Sequence, residues 1–489
     1  MKYRTWFSAL VALMLILAAC GGDDAGTTTT AAAGASTTTT EAAAGETTTT
    51  AAGETTTTGE AMEATGYDHL DRAMAGEFSG TTVEIVAQYV EGEAENFNTA
   101  LDPFREATGI DVQYEGLPDY ELTLQTRVDG NDAPDLAQIA QPGKMISYAS
   151  EGQLVDISEW FNVDKLTAEQ VPGFVELTEF EGGVYGVYYK TDVKSIVWYP
   201  VAAFEEAGYA VPTTWDELKA LSDQIVADGN GNPWCVGIES EAADGWVATD
   251  WLEDIVLRTA GVEFYNQWWK HEVPFNSPEV LAAAEEMKSI WFAPDYVYGG
   301  NVAINATNVR DVANPMFDPA GPQCWMQKQA SWIPEFWPGN RDVSDRSQWA
   351  NPPGESSSFF YLPGIDPELG NPVLGAGDMI VMFTDGDRPE VRALLEYLAT
   401  PQGAQGWIEI GGFISPNTTV PTDWYTTYPN TDLVPILNQA DSFGFDASDL
   451  MPAEVGAGSF WTGMVDWVAA NGEGTEEIFQ SIEDSWPTG

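Results

Sequence analysis

The sequence predicts an α/β protein of two lobes, each a mostly parallel sheet flanked by helices. Strand-like and helix-like segments alternate along residues 81–143. Such alternation is typical of a parallel sheet with helices on both faces. The chain from residue 66 to residue 489 is long for a single hydrophobic core, which favours two lobes.

The N-terminal residues predict export. Lys2 and Arg4 precede an apolar run that is too short to span a bilayer and that ends in small residues, as in a secretory signal peptide. Residues 17–20 (LAAC) resemble a bacterial lipobox, whose lipidated cysteine anchors a protein without spanning the membrane. We therefore expect a lipoprotein signal in residues 1–20 with Cys20 lipidated. The alternative is a plain signal peptide with an incidental cysteine.

Residues 21–66 predict a disordered tether. They are mostly Thr, Ala, Gly and Glu, include four Thr tetrads and have almost no large apolar side chain. Such a segment cannot offset its own ordering entropy by burial. We expect a flexible tether whose threonines are open to glycosylation.

In the first part of the folded chain, segments with the hydrophobic period of a strand alternate with segments with that of a helix. Strands are expected at residues 81–89, 110–116 and 136–140, and helices at residues 96–109 and 120–130. Ligands of such sheets bind just beyond the carboxyl ends of the strands. Glu91 and Glu93 follow the first strand and Gln141 follows the third, so they are candidate ligand-binding residues.

Three later segments have clear helix signals. Residues 211–229 contain a capping box formed by Thr214 and Glu217, and Gly229 ends that helix. Residues 276–291 and 387–403 each carry a proline in the first turn, where proline is favoured.

The formal net charge of −57 argues against nucleic acid and anionic lipid headgroups as partners. Binding a polyanion requires a basic patch, and the chain has 19 Lys and Arg against 76 Asp and Glu. Acidic surfaces also keep proteins soluble in salt, so a saline habitat is an alternative explanation of the charge.

Cysteine usage agrees with export. With Cys20 assigned to the lipid, Cys235 and Cys324 remain as a pair in an oxidising compartment, and we expect a disulfide between them. Two thiols and two histidines are too few for a zinc site, and we expect no metal or other cofactor. Residues 228–239 have the oxygen ligands of a calcium loop, but Pro233 stands where that loop needs glycine, which favours a simple turn.

Motifs for covalent or metal catalysis do not stand out. The sequence has no GxSxG, no HExxH and no phosphate-binding glycine loop. His69 and His271 have no recognisable nucleophile partner and are expected at the surface. Among 76 carboxylates some pair always lies at glycosidase spacing, so their number does not indicate a hydrolase.

Aromatic residues give a stronger indication of a ligand. Most of the 19 Trp are expected in the core. Trp246, Trp251, Trp332 and Trp461, however, stand among Gly, Asp, Asn and Ser in turn-rich segments. A pyranose offers a flat C–H face for stacking and a rim of hydroxyls for carboxylates and amides. Trp beside Asp or Gln therefore predicts a sugar site.

Several segments resemble one protein family. The stretch "VYYKTDVKSIVWYPVAAFEEAGYAVPTTWDELKAL" is similar to the signature segment of extracellular solute-binding proteins of carbohydrate ABC transporters, the broad family of maltose-binding protein. The similarity, especially to the α-glucoside-binding branch, continues through "DWLEDIVLRTAG", "CWMQKQASWI", "LGAGDMIVMF", "WIEIGGFISPN" and "SDLMPAEVGAGSFWTGMVDWV" and covers residues 67–487. Many members have proline at the place of Tyr188 and asparagine at the place of Pro200, so the details of this pocket are expected to differ from those of other sugar receptors.

The resemblance implies a periplasmic-binding-protein-like fold whose two lobes close over a sugar in the cleft between them. The implied division is residues 67–190 and 329–377 for lobe 1, and residues 191–328 and 378–489 for lobe 2. Residues 187–199 would cross from lobe 1 to lobe 2, with Tyr188 and Lys190 on the cleft floor and residues 196–198 entering the second sheet. Other crossings would fall near residues 324–333 and 375–379.

We therefore expect a non-catalytic, monomeric receptor that binds a small carbohydrate and delivers it to ABC permease subunits. The expected ligand-binding residues are aromatic or polar: Trp332, Trp461, Trp246, Tyr188, Lys190, Asp250, Asp378, Gln141, Glu91, Glu93 and Phe413. The lipid anchor would hold the protein on the extracellular face of the bacterial cytoplasmic membrane. The alternatives are a surface-anchored glycoside hydrolase and a receptor for a non-sugar solute such as a peptide or polyamine.

Overall fold

The computed structural model describes residues 64–341, 343 and 346–487. The expected signal peptide, the lipidated Cys20 and nearly all of the expected tether lie outside the described residues. Within the described ranges, every helix is either too short or too polar to cross a membrane.

The described residues form two main sheets and one short hairpin. The strands are β1 Thr82–Ala87, β2 Asp111–Gly116, β3 Leu136–Ile139, β4 Glu179–Phe180, β5 Gly183–Val184, β6 Val187–Val193, β7 Ile196–Tyr199, β8 Asn232–Trp234, β9 Cys324–Lys328, β10 Ser358–Tyr361, β11 Pro372–Met382 and β12 Ser442–Phe445. The strands expected at residues 81–89, 110–116 and 136–140 are thus confirmed as β1, β2 and β3.

The helices connect and cover these strands. They are α1 Asp68–Met74, α2 Glu91–Thr108, α3 Tyr120–Asp129, α4 Pro142–Ser150, α5 Val163–Glu169, α6 Val201–Ala207, α7 Trp215–Asp228, α8 Trp246–Trp269, α9 Pro278–Trp291, α10 Gly300–Ala306, α11 Pro389–Leu398, α12 Gln402–Ile410, α13 Asn430–Gln439, α14 Ala447–Leu450, α15 Trp461–Ala469 and α16 Thr475–Glu483. A π-helical turn, Val455–Phe460, leads into α15. Helix α8 is kinked at Gly261, whose φ is 80°.

The first lobe contains a six-stranded sheet. Its main path runs β12-β11-β3-β1-β2, and β6 also pairs with β11. Strand β1 is parallel to β2 and β3, and β12 is parallel to β11, whereas β11 runs antiparallel to β3 and β6. This sheet is mostly parallel, as the alternation of strand and helix patterns predicts.

The second lobe contains a four-stranded sheet in the order β10-β7-β9-β8. Only β8 and β9 pair in parallel, whereas β7 runs antiparallel to both of its neighbours. The expectation of a mostly parallel sheet is therefore wrong for this lobe. Both neighbours of β7 come from later segments that return along it in the opposite direction, not from strand–helix–strand units.

Two hydrophobic cores lie beneath these sheets. In the first lobe, α1, α2, α11 and α12 cover one face of the sheet, with Phe97, Leu394 and Trp407 fully buried. In the second lobe, α7, α8, α9, α15 and α16 surround a core that includes Trp251 and Trp467. Trp251 is only 1% exposed, so it belongs to the core and not to a ligand surface.

The local helix signals are borne out with one change. Thr214 and Glu217 form the expected capping box at the start of α7, and prolines occupy the first turns of α9 and α11. The single helix expected at residues 387–403 is instead two helices, α11 and α12. Pro401 lies between them, and proline disfavours helical backbone at the residue before it.

The chain passes between the two sheets at three places within the described residues. It runs from β6 directly into β7, as expected for residues 187–199, returns between β10 and β11, and crosses again after β12. The other two expected crossings are misplaced, because residues 324–328 are β9 of the second sheet and residues 375–379 lie inside β11 of the first.

The expected lobe boundaries are consequently wrong in the second half of the chain. Strand β10, which was expected in lobe 1, pairs with β7 of the second sheet. Helices α11 and α12, which were expected in lobe 2, pack in the first core because β11 returns the chain to the first sheet. Only the segment after β12, including α15 and α16, belongs to the second core.

The expected disulfide is present in the second lobe. Cys235 and Cys324 have a Cα–Cα distance of 5.3 Å, and their bond ties the start of β9 to the residue that follows β8. The calcium-like pattern at residues 228–239 corresponds to the end of α7, a turn and β8, in which Pro233 lies.

Neither histidine lies freely at the surface. His69 is 9% exposed, and its Nδ1 lies 3.2 Å from Oε1 of Glu396 because α1 packs against α11. His271 is half-buried, stacks on Trp486 with the ring centroids 4.1 Å apart, and places Nε2 3.0 Å from Glu483. The prediction of surface histidines is therefore wrong for His69 and only partly right for His271.

Candidate functional site

A cavity lies between the two lobes, with an empty volume of about 1050 Å³ including its mouth. The first lobe supplies the ends of its strands and the starts of its helices: Gln88 and Tyr89 after β1, Glu93 in the first turn of α2, and residues 118–121 and 140–141. The carboxyl ends of the parallel strands meet at this edge of the sheet, where the sequence predicts ligand binding. In the structure this edge faces the second lobe.

The second lobe contributes an aromatic wall. Trp246 and Trp332 are half-buried and lie with ring centroids 6.0 Å apart, and Phe336 meets Trp332 edge to face at 5.6 Å. Trp461 is 5% exposed and lines the same cavity. Its indole nitrogen donates to Oγ of Ser448 at 3.2 Å, which fixes the orientation of the ring. Such rings offer flat apolar surface of the kind that a pyranose needs.

The start of α8 approaches α15 closely enough to require a glycine. Gly245 has φ 106° and precedes Trp246, the first residue of α8. A Cβ at this position would lie 2.2 Å from the carbonyl oxygen of Trp461. Gly245 therefore brings Trp246 and Trp461 to one wall of the cavity.

Lys190 lies at the floor of the cavity on β6. Its Nζ is 3.1 Å from Oδ2 of Asp192 and 3.9 Å from Oε1 of Glu93. Burial opposes the charge of this amine, but Asp192 and Glu93 outweigh that effect and raise the pKa of Lys190. Lys190 also lies 5.9 Å from the ring centroids of Tyr89 and Trp407. It is therefore a fixed cation with hydrogens available to ligand oxygens.

Asp378 lies opposite Lys190 on β11. It accepts hydrogen bonds from the hydroxyl of Tyr89 and from Nε2 of Gln138, both at 2.9 Å. Burial raises the pKa of Asp378 to about 6, although Lys190 acts in the opposite direction.

Glu93 is 6% exposed, and no side-chain or backbone donor within the described residues bonds its carboxylate. Burial raises its pKa to about 8 against the effect of Lys190. Glu93 is thus a buried carboxyl on the cavity wall with its oxygens available to a ligand.

Lys194 holds a second charged cluster where the chain enters the second lobe. Its Nζ lies 2.7 Å from Oδ1 of Asp250 and 2.5 Å from Oδ2 of Asp446, and 5.2 Å from the ring centroid of Trp246. Although burial acts against it, Lys194 lowers the pKa of Asp446 to about 2. Burial raises the pKa of Asp250 to about 7, so the two carboxyls that share this lysine differ in acidity.

The Lys194 cluster continues deeper into the second lobe. Asp254 pairs with Arg258 one helical turn away and lies 3.2 Å from Nζ of Lys328. Glu253 accepts the backbone N–H groups of Ala447 and Ser448 at the start of α14, at 2.7 and 3.1 Å. These bonds hold α14, and with it Asp449, at the cavity wall.

Three carboxylates of this cluster, Asp250, Glu253 and Asp446, bring one oxygen each within 4.8 Å of one another. The positive charge there is supplied by Lys194, whose amine contacts Asp250 and Asp446 directly. The arrangement is a buried ion network and gives no reason to expect a metal.

Comparison with known proteins assigns the fold. A family model described as bacterial extracellular solute-binding protein matches residues 79–405. The chain belongs to this family. Its structure also resembles that of a bacterial solute receptor whose reported preference is for β-D-galactopyranose, with a TM-score of 0.69 and 18% identity over 83% of this chain and 98% of the receptor.

Two relatives match nearly their whole length. The osmoprotective compounds-binding protein of Synechocystis sp. is 40% identical over 406 residues, which cover 83% of this chain and 92% of the relative. The α-glucosides-binding periplasmic protein of Rhizobium meliloti is 37% identical over 423 residues, which cover 84% and 88%. Because the family consists of extracellular binding proteins, the chain is a solute-binding protein and not an enzyme.

In this solute-binding protein, most of the residues expected at the ligand site line one cavity. These are Trp246, Trp332, Trp461, Lys190, Asp378, Gln141 and Glu93. They come from both lobes, so the cavity unites residues that are far apart in the sequence.

Four other expected residues lie off the cavity wall. Tyr188 packs against Phe174 and Phe445 in a separate part of the first lobe, and Phe413 packs against Tyr189 with ring centroids 4.9 Å apart. Asp250 lies behind the wall, bound to Lys194. Glu91 lies at the start of α2 and pairs with Arg341 at 2.7 Å.

A β-bulge explains the position of Tyr188. The register of β6 against β11 shifts between Asp378 and Met379, so that Lys190 opposes Asp378 while Tyr188 opposes Met379. Tyr189 and Lys190 consequently lie towards the same core, beside Phe97 and Tyr89. In a regular strand Lys190 would share a face with Tyr188.

The sequence analysis missed several residues of the cavity wall. They are Lys194, Asp192, Asp446, Asp449, Arg310 and the turns at residues 118–121 and 240–243. Lys194 had a usable signal, since it lies four residues after Lys190 in the same crossing. The turns had none, because their place at the cavity depends on how the lobes meet.

Proposed function

We propose that this solute-binding protein captures a sugar, an α-glucoside or a related oligosaccharide, and delivers it to an ABC permease by closing its lobes. The observation that carries the proposal is the aromatic wall of Trp246, Trp332 and Trp461 facing the polar wall of Lys190 and Asp378 across one cavity. The name of the α-glucosides-binding relative supports the choice of sugar.

The division of the cavity suits a sugar ring. The indole faces of Trp332 and Trp246 stack on the C–H face of a pyranose, while carboxyl and amine groups of the first lobe bond its hydroxyls. Because the two walls belong to different lobes, a ligand that bridges them stabilises the closed arrangement. That closed arrangement is what the permease receives.

A second candidate is a small osmoprotective solute. The osmoprotective compounds-binding relative favours it. The excess of 76 acidic over 19 basic residues also suits a saline habitat, in which such solutes are needed.

We further propose that the protein acts as a monomer held by a lipid on Cys20 at the extracellular face of the cytoplasmic membrane, with residues 21–66 as its tether. The LAAC sequence at residues 17–20 supports this anchor. Replacing Cys20 with Ser should release the protein from the membrane while ligand binding survives. A C20S variant that stays bound to the membrane would contradict the anchor alone.

A ligand panel tests the proposed function. The mature protein is heated with maltose, trehalose, sucrose, isomaltose, glycine betaine or a peptide mixture, and released glucose is measured in parallel. We expect a higher melting temperature with at least one glucoside and no glucose release, since a ligand that binds only the folded state stabilises it. Stabilisation by the peptides alone, or by none of the sugars, would overturn the sugar assignment.

A further inference from the structure

Trp461 lines the cavity at a point where the backbone is irregular. It is the first residue of α15, and the π-helical turn Val455–Phe460 leads directly into it. Such turns are rare and are frequently found at functional sites. A ring that stacks on a ligand must be held in one orientation, so the side chains that hold Trp461 affect ligand binding without contacting the ligand.

The hydroxyl of Ser448 holds the indole of Trp461. The indole nitrogen donates to Oγ of Ser448 at 3.2 Å, and this Oγ donates in turn to Oδ1 of Asp446 at 2.8 Å. Ser448 is 2% exposed and lies behind the cavity wall. A serine hydroxyl donates one hydrogen bond and accepts others, and both capacities are used here.

Two further elements of the cavity wall meet at the same serine. Oγ of Thr249 lies 3.3 Å from Oγ of Ser448 and donates to the carbonyl oxygen of Trp246 at 2.9 Å, within the first turn of α8. The π-helical turn packs on the backbone of Ser448, since a Cβ at Gly456 would lie 1.8 Å from its carbonyl oxygen. Ser448 is therefore the place where α8, α14 and the turn before α15 are joined.

The position of Ser448 is itself set from two sides. Its backbone N–H donates to Oε1 of Glu253 at 3.1 Å, and Glu253 is fully buried on α8. Its hydroxyl partner Asp446 is held by Lys194 at 2.5 Å. Buried hydrogen bonds of this kind are costly to leave unmade. Ser448 therefore provides a fixed acceptor for the indole of Trp461.

We infer that Ser448 is a positioning residue for sugar binding, which acts by holding the indole of Trp461 in the orientation that stacks on the ligand. The inference rests on the proposed function and adds a residue behind the cavity wall to those that set the affinity. A ring that is fixed before the ligand arrives loses less conformational freedom on binding, which strengthens the affinity.

Removing the hydroxyl tests this role. Ser448→Ala leaves the indole N–H of Trp461 without its acceptor. Dissociation constants for maltose and trehalose are measured by calorimetric titration well below the melting temperature, so that the variant is fully folded. We expect affinity to fall about three- to tenfold, the effect of one lost hydrogen bond. A folded variant that binds these sugars as tightly as wild type would overturn the inference.

The second lobe offers a matched control. Ser222 on α7 is 1% exposed, and its Oγ accepts the indole N–H of Trp234 at 3.1 Å inside the core. Ser222→Ala therefore makes the same chemical change away from the cavity. It should lower the melting temperature, as Ser448→Ala does, but leave the affinity for sugar unchanged. An equal loss of affinity in the two variants would mean that general destabilisation is responsible, and the inference would be wrong.

A double variant shows whether Ser448 acts through the ring. Trp461→Phe keeps an aromatic ring but has no indole N–H to bond Ser448. Ser448→Ala should then weaken binding by less than about twofold when it is added to Trp461→Phe, because two residues that act through one contact are not additive. If Ser448→Ala weakens binding equally in both backgrounds, Ser448 does not act through Trp461.

A second variant covers the case in which Ser448→Ala does not fold. Ser448→Cys retains a side chain at this position, but sulfur is a weak acceptor, so affinity should fall in the same way. Sugar binding that none of these Ser448 variants weakens would overturn the inference and leave the proposed function standing. If wild type binds none of the sugars, the proposed function fails, and the inference fails with it.

Discussion

The two lobes differ in what holds them together. The first lobe has a six-stranded, mostly parallel sheet with an aromatic and aliphatic core against α2, α11 and α12. The second lobe has four strands, mostly antiparallel, and adds the Cys235–Cys324 disulfide and the buried ion network around Lys194. A smaller sheet offers fewer backbone hydrogen bonds, and the second lobe adds a crosslink and a charged network to its hydrophobic core.

This difference can be tested one contact at a time. Lys194 provides the strongest test, since its amine contacts carboxylates from two separate elements, Asp250 of α8 and Asp446 after β12. Replacing Lys194 with Met leaves these carboxyls without their cation. We expect the free energy of unfolding to fall by about 3–5 kcal/mol, as for other broken buried ion pairs, when measured by urea titration.

Two other lysine variants show how much of the loss in unfolding free energy is specific to Lys194. Lys270→Met removes an exposed lysine of the second lobe and should change the free energy of unfolding by less than about 0.5 kcal/mol. Lys190→Met should cost less than Lys194→Met, because Lys190 closely contacts one carboxylate, Asp192 at 3.1 Å, whereas Lys194 contacts two at 2.7 and 2.5 Å. Equal losses for Lys194→Met and Lys270→Met would show that the network contributes nothing.

Substituting two tryptophans distinguishes a residue of the second-lobe core from a residue of the cavity wall. Trp467 is fully buried, whereas Trp332 is half-buried on the cavity wall. Trp467→Ala should lower the free energy of unfolding by about 3–5 kcal/mol, and Trp332→Ala should lower it clearly less but weaken sugar binding. Melting curves and binding titrations of both variants measure this contrast. If Trp332→Ala melts as early as Trp467→Ala and binds sugar normally, Trp332 is a core residue.

The disulfide should have the next largest effect. Replacing both Cys235 and Cys324 with Ser removes a crosslink between positions 89 residues apart. We expect a loss of about 2–4 kcal/mol in the free energy of unfolding, with the fold retained by circular dichroism. Labelling of the unfolded wild-type protein without reductant should find neither thiol free. If labelling found free thiols at both positions, the second lobe would have no disulfide to stabilise it.

Glu93 tests the first lobe through the dependence of stability on pH. Its pKa is about 8 in the folded protein against an ordinary 4.5. Between these values the unfolded chain has released its proton while the folded protein retains it, so stability falls as pH rises from about 4.5 to 8 and is then constant. Glu93→Gln should therefore gain stability relative to wild type between pH 5 and pH 8.

The matched control for Glu93 lies on the same helix. Glu95 is exposed, so Glu95→Gln should follow the wild-type dependence of unfolding free energy on pH. If the unfolding free energies of wild type, Glu93→Gln and Glu95→Gln all changed with pH in the same way, Glu93 would not be buried as a neutral acid.

Much of the fold could be predicted from the sequence because its signals are local. The alternation of strand and helix patterns in residues 81–143, the capping box of Thr214 and Glu217 and the proline starts of α9 and α11 all act within one element. The antiparallel second sheet and the place of β10 could not be predicted, since they depend on which distant segments pair with β7.

The part of the candidate site that could be predicted consists of residues whose chemistry suits a sugar or that follow the end of a strand. Trp332, Trp461 and Lys190 are on the cavity wall, where that reasoning expected them. Tyr188 is not, because the bulge between Asp378 and Met379 breaks the alternation on which its assignment with Lys190 rested. A bulge of one residue has no signal in a single sequence.

The contact between Lys194 and Asp446 has a mechanical consequence. Lys194 lies in the first crossing between the lobes and Asp446 in the last, and their buried atoms are 2.5 Å apart. A rotation of the lobes that preserves this contact must turn about an axis near it. Residues 118–121 and 240–243 lie on opposite lobes, and helix α3 contacts residues 241–243 across the cavity. Such a rotation would part these turns and open the cavity there, while the wall beside Lys194 would move little.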